Sequence, residues 1–460
     1  MAAAGDSLVT AANSRKAFWL LLAVYAACLL ALLSRLSLWL DEIVDLKGIR
    51  DYNFAQLIAW VPANAGGVPL GYITRYATVH VLGYSTFSGR LPSPMFSLVA
   101  CAGVFVLARG LKLRFPLLAV VIFCLTPLQL RYALESRPYS LALALSVWST
   151  VVFVDLLERV TFVRAFRYGV MALLGLYTQP YTVFVPVAHI AWLCCVREYA
   201  DRWRLLLVSG VSVALAAAGF VPWYLWTAHA WGESVATAHL RYKIEPRAAL
   251  LILRELVGAG YLGTALILGG AWMGVKYGLP NNQVRLFWAF YAILPVLLAL
   301  LADAVFGYFL AVRQMIFVLV PLSLLTALGI EAVAEQRRRV AGALGCLVIT
   351  VFLIADVRFF LRPREDWRAA SSILQGLAQR GGCILFAPAS SEGFYEFFVP
   401  ELGRAKCREE GLSAAPGVAM AVSPYGPREE PQLIRRLSES GFRKTQEFNR
   451  QGPRVELYKR

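Results

Sequence analysis

Cys-x-x-Cys motifs are missing from this 460-residue chain of eight cysteines, which removes a zinc ribbon from consideration. Cys28, Cys101, Cys124, Cys194, Cys195 and Cys346 lie in apolar runs, where a thiol packs as a small hydrophobe. Histidine is scarce too, with four residues. His189 sits in an apolar run and reads as a packing residue, and His229 and His239 share a polar loop at no recognised metal-ligand spacing. Charged residues make up only 16% of the chain. The formal net charge of +16 comes from Lys and Arg placed between apolar runs, and no basic face with interleaved aromatics is present, so nucleic acid is excluded as a partner. No internal repeat is visible, and the polar residues gather at the ends of the apolar runs rather than inside them. Both features count against a transporter, whose path would be lined by polar groups within repeated, broken spans.

What is present is apolar length. The chain is 58% hydrophobic with a mean hydropathy of +0.59, and it holds many runs near the ~20 residues that a bilayer crossing requires. The runs are 17–33, 91–107, 116–130, 139–157, 205–227, 261–275, 286–301, 315–330 and 340–354. The run 168–196 is too long for one helix and is broken by Gln179-Pro180 into two. The fold class is therefore a polytopic α-helical membrane protein with about 11 transmembrane helices. Run 17–33 is longer than a signal-peptide core of about 7–15 residues and is followed by Arg35 and an acidic pair instead of a small-x-small site, so it is read as the first span.

With the N-terminus in the cytoplasm, every short cytoplasmic loop is basic: Arg15 and Lys16; Arg109, Lys112 and Arg114; Arg159, Arg164 and Arg167; Arg197, Arg202 and Arg204; Lys276 and Arg285; Arg337, Arg338 and Arg339. The positive-inside rule selects that orientation, and an odd span count places the C-terminus outside. Asp41, Glu42, Glu135, Arg137, Gln179, the His229 loop with His239, Arg241, Lys243 and Glu245, and Arg313 then share the extracytoplasmic side. The membrane module covers 1–357, with a first extracytoplasmic loop at 34–90 that carries amphipathic pieces at 54–60 and 72–82. After Arg358 the composition changes: helix patterns at 365–379 and 431–438 and strand patterns at 383–387 and 455–459 predict a small soluble α/β domain over 358–460. On that side of the membrane Cys383 and Cys407 are either bridged or two free thiols.

Asp41 and Glu42 directly follow the first span. Carboxylates there are costly in lipid and useful in a water-filled cavity, where one can act as general base toward an acceptor hydroxyl. Neighbours on a helix point apart, so one carboxylate is assigned the chemistry and the other its support. Arg137 and Arg313 are suited to bidentate contact with a phosphate, the alternatives being an ion pair of Glu135 with Arg137 and an interfacial anchor for Arg313. Tyr177 and Tyr181 lie where interfacial belt tyrosines are found.

Several short motifs occur in a fixed order: Leu38-Trp39-Leu40-Asp41-Glu42, Val68-Pro69-Leu70-Gly71-Tyr72, Gly89-Arg90-Leu91-Pro92-Ser93, Glu135-Ser136-Arg137-Pro138-Tyr139, Tyr177-Thr178-Gln179-Pro180-Tyr181, Arg313, and Glu365-Asp366-Trp367-Arg368. Through them most of the chain resembles the GT-C superfamily of polyprenyl-phosphate-sugar-dependent glycosyltransferases, in particular the bacterial family-39-like and Rgt-like group. The resemblance implies an inverting transfer in the bacterial inner membrane, from a polyprenyl-phosphate-linked sugar donor to an acceptor of the cell envelope. It implies that Asp41 is the base with Glu42 beside it, and that Glu135, Arg137, Tyr139, Tyr177, Gln179, Arg313 and Arg90 form the donor-phosphate and substrate site. Relatives often carry His-Pro-Pro-Leu-Tyr-Tyr where this chain has Gly67-Val68-Pro69-Leu70-Gly71-Tyr72, and His where it has Gln179. Both losses remove metal ligands, so a reaction without metal or other cofactor is expected. A flippase of a lipid-linked precursor and an inactive GT-C-like scaffold are the alternatives.

Overall fold

The computed structural model describes residues 2–64, 67–196, 201–237, 246–306, 311–362, 365–407, 415–449 and 452–460. Arg197, His239, Arg241, Lys243 and Glu245 lie outside the described residues, as does the side chain of His229. The chain forms two compact units, one of residues 1–33 and 52–357 and one of residues 34–51 and 358–460. The sequence assigns 34–51 to the first loop of the membrane module; it groups instead with the tail.

The first unit is helical. Seven described helices are long and apolar enough to cross a membrane: Ser14–Leu32, Thr86–Gly110, Tyr139–Glu158, Arg202–Ala228, Asn282–Val305, Val312–Gln336 and Arg338–Leu361 (the last runs into the second unit). Two bent pairs bring the number to nine. The two spans expected around Gln179-Pro180 are the helices Phe162–Thr178 and Phe184–Cys195, of 17 and 12 residues, shorter than the ~20 needed for a perpendicular crossing.

Local chemistry sets the helix starts. Pro69–Leu82, Pro92–Gly110, Pro116–Cys124 and Pro127–Leu134 each begin on a proline, whose fixed φ suits the first helical position and whose missing N–H would have no partner there. Pro127 also forces the residue before it out of the helix. Thr126 is extended (φ −64°, ψ 120°), and the run 116–134 bends by 63° at this point. A second bend, of 94°, separates Arg247–Val257 from Gly260–Gly278, where Gly258 (φ +76°) and Gly260 (φ +66°) take left-handed conformations open to glycine. The two bends touch, because a Cβ on Gly258 would lie 3.0 Å from Pro127 Cβ and 3.2 Å from the Leu128 nitrogen.

Helices Gly260–Met273 and Leu319–Gln336 approach through Gly270-x-x-x-Gly274 facing Gly329. A Cβ on Gly329 would run into the Gly270 carbonyl oxygen, and one on Gly274 into that of Leu325. Such small-residue contacts hold membrane helices by close van der Waals packing, since lipid supplies no hydrophobic drive between them. His189 lies fully buried on the stacked ring of Phe153 (4.4 Å), within hydrogen-bonding distance of Thr150 (3.2 Å) and Tyr168 (3.1 Å), as a satisfied packing histidine.

The tail folds around a four-stranded sheet of β1 (Cys383–Ala387), β2 (Val418–Val422), β3 (Arg443–Asn449) and β4 (Arg454–Lys459), in the order β1-β2-β4-β3. β1 and β2 are parallel with Cys383 opposite Val418, and the other pairings are antiparallel. Helix Trp367–Ala378 packs across β1, β2 and β4. Leu437 of helix Glu430–Glu439 joins Val418, Met420, Val422, Phe442 and Tyr458 in the core. Cys383 and Cys407 form a disulfide that closes the segment between β1 and the loop leading to β2.

Candidate functional site

In the first unit the polar centre is built at the turn Glu135-Ser136-Arg137-Pro138, between helices Pro127–Leu134 and Tyr139–Glu158. Two of the other sequence motifs converge on it. Ser93 Oγ donates to the Glu135 carbonyl (2.6 Å) and Ser136 Oγ to the Gly89 carbonyl (2.8 Å). The buried Arg75 guanidinium donates to the carbonyls of Gly71 (2.9 Å) and Ser136. Gly71 itself lies against Pro138, where a Cβ would come within 2.7 Å of the ring, so this glycine is required by close approach.

Tyr139 opens the helix after the turn and gathers the charges. Arg313 Nε donates to the Tyr139 hydroxyl (2.9 Å), the guanidinium carbons of Arg313 and Arg137 lie 5.9 and 6.0 Å from the Tyr139 ring centre, and the Tyr132 ring packs 4.6 Å away. Arg313 sits on the 3₁₀ segment Val312–Val318, whose first turn is fixed by Gln314 Oε1 accepting the Ala311 N–H (3.0 Å). That segment packs against Pro127–Leu134, Tyr139–Glu158, Pro246–Val257 and the turn Pro180–Val183. Beside it the two bends line a half-open cleft of about 220 Å³ formed by Pro127, Leu128, Arg131, Arg254, Glu255, Gly258 and Gly260. Arginines carried by broken helices form a surface suited to a phosphate, which planar guanidinium groups bind through paired N–H donors.

Other residues expected at the site have different contacts. Arg90 is 1% exposed and donates to the Leu33 carbonyl (2.9 Å), the C-terminal end of the first span. This bond ties it to the end of the first span. Tyr177 donates to the Gly219 carbonyl (3.0 Å) and packs edge-on to Phe220, so its contacts are with helix Arg202–Thr237. Gln179 serves through its backbone: its carbonyl accepts from the Thr182 N–H (3.0 Å) and hydroxyl (2.8 Å), starting the turn Pro180–Val183. Sequence reasoning missed Arg131, Tyr132 and Arg254 as site residues. The signal for the first two was Pro127, which bends its helix just upstream of them.

In the second unit Asp41 and Glu42 occupy the first turn of helix Leu40–Asp51, where negative charge favours the helix dipole. The two carboxylates differ in setting. Glu42 is fully buried and its Oε2 accepts the Trp39 N–H (3.4 Å), while Asp41 is half-buried. Asp45, one turn further, is buried as well. Among the described residues no group of three or more His, Cys, Asp or Glu is arranged to hold a metal ion.

No protein-family model matches this chain, and no curated protein matches it in sequence. Solved structures do match in fold. ArnT from Cupriavidus metallidurans in the apo state superposes with a TM-score of 0.58 at 12% identity, over 99% of this chain and 98% of that one. The same protein bound to undecaprenyl phosphate superposes with a TM-score of 0.60 at 12% identity, over 96% and 98%. The apo form of the Archaeoglobus fulgidus oligosaccharyltransferase reaches 0.50 at 11% identity, over 82% of this chain and 63% of that one.

Proposed function

We propose, from a chain that has the GT-C fold, that this protein is an integral-membrane glycosyltransferase using a polyprenyl-phosphate sugar donor. The observation that carries the reading is the arginine–tyrosine centre of Arg313, Arg137 and Tyr139, beside the cavity of Arg131 and Arg254, in a fold shared end to end with an ArnT solved with undecaprenyl phosphate. In this reading the acceptor hydroxyl oxygen attacks the anomeric carbon, and Asp41 takes the hydroxyl proton. The bond to the phosphate oxygen breaks with its electron pair, and the arginines hold the phosphate charge as it grows, inverting the anomeric centre. The half-buried Asp41 is the base, and the buried, backbone-bonded Glu42 supports the helix end. The basic short loops support a cytoplasmic N-terminus in a bacterial inner membrane, with the acceptor an envelope component outside. Gly67 and Gln179, standing where relatives carry His, support a reaction without metal.

The two bends favour a second reading, since transporters build binding sites from broken helices. Turnover separates the two. Purified protein in detergent is offered a panel of radiolabelled undecaprenyl-phosphate sugars, as wild type and as Asp41→Asn, with and without chelator. Sugar release by the wild type, lost about 10²- to 10⁴-fold in Asp41→Asn and unchanged by chelator, is the expected result. Equal turnover by the Asn variant removes Asp41 as base, and lipid binding without any release supports the transporter.

A further inference from the structure

The helix that carries Asp41 lacks an N-cap side chain of its own. Its first residue is Leu40, so the N-cap position falls on Trp39, whose indole has no acceptor for the N–H groups of the first turn. Half of a capping box is present, with Glu42 reaching back to the Trp39 N–H. Another first-turn donor, the Leu40 N–H, is met from 325 residues away in sequence: Glu365 Oε2 accepts it at 2.8 Å.

Glu365 is 3% exposed and satisfied on both oxygens. Oε2 also accepts the Trp367 indole N–H (2.6 Å), and Oε1 accepts the Tyr425 hydroxyl (2.5 Å). Gly452, at φ +122°, leaves room for it, because a Cβ there would come within 2.9 Å of Glu365 Cγ. Around this carboxylate the tail grips the acidic helix further. The Arg368 N–H donates to Ser37 Oγ (3.4 Å), helix Glu392–Glu396 packs on helix Leu40–Asp51, and Arg50 lies over the Phe397 ring (5.8 Å).

We propose that Glu365 is a positioning residue, a buried carboxylate of the tail that caps the acidic helix from outside and fixes the direction of Asp41. The tail is then part of the catalytic scaffold as well as any contact it makes with an acceptor. The proposal rests on Asp41 being the base, and it adds why a soluble domain must accompany that base. Reacting groups tolerate little misplacement, about 1 Å being enough to lose 10²-fold in rate.

The test uses full-length protein in detergent with two readouts, amide exchange of residues 40–51 and turnover of undecaprenyl phosphate carrying a ¹⁴C-labelled sugar. Glu365→Ala should speed exchange across 40–51 about tenfold or more and lower kcat roughly 10- to 100-fold, with KM for the donor unchanged. Glu365→Gln keeps a carbonyl oxygen for Leu40 and Trp367 and offers its NH₂ to the Tyr425 hydroxyl, so it should restore both to within about threefold. Exchange in β2 reports whether the tail is still folded; where Glu365→Ala disturbs it, Tyr425→Phe, which removes one of the three bonds, replaces it and should move both readouts in the same directions by less. Wild-type exchange across 40–51 in the Ala variant overturns the proposal, and so does faster exchange with kcat unchanged. If the wild type turns over no donor, the glycosyltransferase reading fails. Exchange alone then decides the cap: faster in Ala but not in Gln upholds it, and unchanged overturns it.

Discussion

Replacing Arg313 with alanine should weaken binding of undecaprenyl phosphate roughly 10- to 150-fold. The magnitude follows from the loss of one hydrogen bond to a charged group, about 1.5–3 kcal/mol, at about 1.4 kcal/mol per decade of affinity. The structure supplies a graded partner for this change. Tyr139 accepts from Arg313 Nε at 2.9 Å while its ring packs 4.6 Å from that of Tyr132. Tyr139→Phe keeps the ring and removes only the oxygen that orients the guanidinium, so it should cost about two- to tenfold, the scale of an ordinary hydrogen bond. The two changes act through one contact and should not multiply: in the Arg313→Ala background, Tyr139→Phe should add less than about twofold. The assay is equilibrium binding of tritiated undecaprenyl phosphate to purified protein in nanodiscs, for the wild type, both single variants and the double variant. Binding by Arg313→Ala within twofold of wild type would refute the phosphate assignment. Full multiplication of the two effects would instead show that Tyr139 contacts the lipid independently of Arg313.

Gly329→Ala should lower the melting temperature in detergent by the equivalent of about 1–3 kcal/mol, because its Cβ meets the Gly270 carbonyl and the helices must part. Gly342→Ala, with nothing within 4 Å of its Cβ, should leave it unchanged or raise it slightly, and equal losses in both would refute the close-packing argument. On the sheet edge, the hydrogen bond from Lys444 (2.5 Å) holds the Glu447 carboxyl below its ordinary 4.5, with Arg454 adding to it. A depressed carboxylate stabilises the fold above its ordinary pKa and loses that contribution as pH falls through the folded value. Burial acts to lower the Lys444 ammonium, but its bonds to Glu447 and Glu456 outweigh this and raise it, so its share is lost only in strong alkali. Lys444→Met should therefore speed amide exchange in β3 and β4 at pH 7, with the difference from wild type closing below about pH 4. A difference that persists at pH 3 would mean that packing of the Lys444 stem, and not charge, is responsible.

The membrane class was legible because a bilayer demands long apolar runs, and the tail's β1, β4 and two helices because each carries apolar residues that are buried, as at Ile384 and Phe386 of β1 and Val455 of β4. β2 and β3 were not legible for opposite reasons. Val418-Ala419-Met420-Ala421-Val422 is buried at every position and shows no alternation, whereas β3 is exposed at six of its seven residues and reads as polar loop. Arg137 and Arg313 stood out as candidates through charge, which sequence displays directly, and both lie against Tyr139. Arg131 and Arg254 face the cavity only because Pro127 and Gly258 bend their helices toward one another, a pairing that no periodicity encodes. The bond from Arg90 to the Leu33 carbonyl was hidden for a related reason: a backbone carbonyl carries no side-chain signature. The least legible feature is the grouping of 34–51 with the tail. Helix Leu40–Asp51 starts without an N-cap residue before it, and that omission is itself a sequence signal. A helix whose first turn is acidic, and whose N-cap position holds Trp39, leaves first-turn N–H groups for other acceptors, and here a buried carboxylate distant in sequence, Glu365, takes that of Leu40.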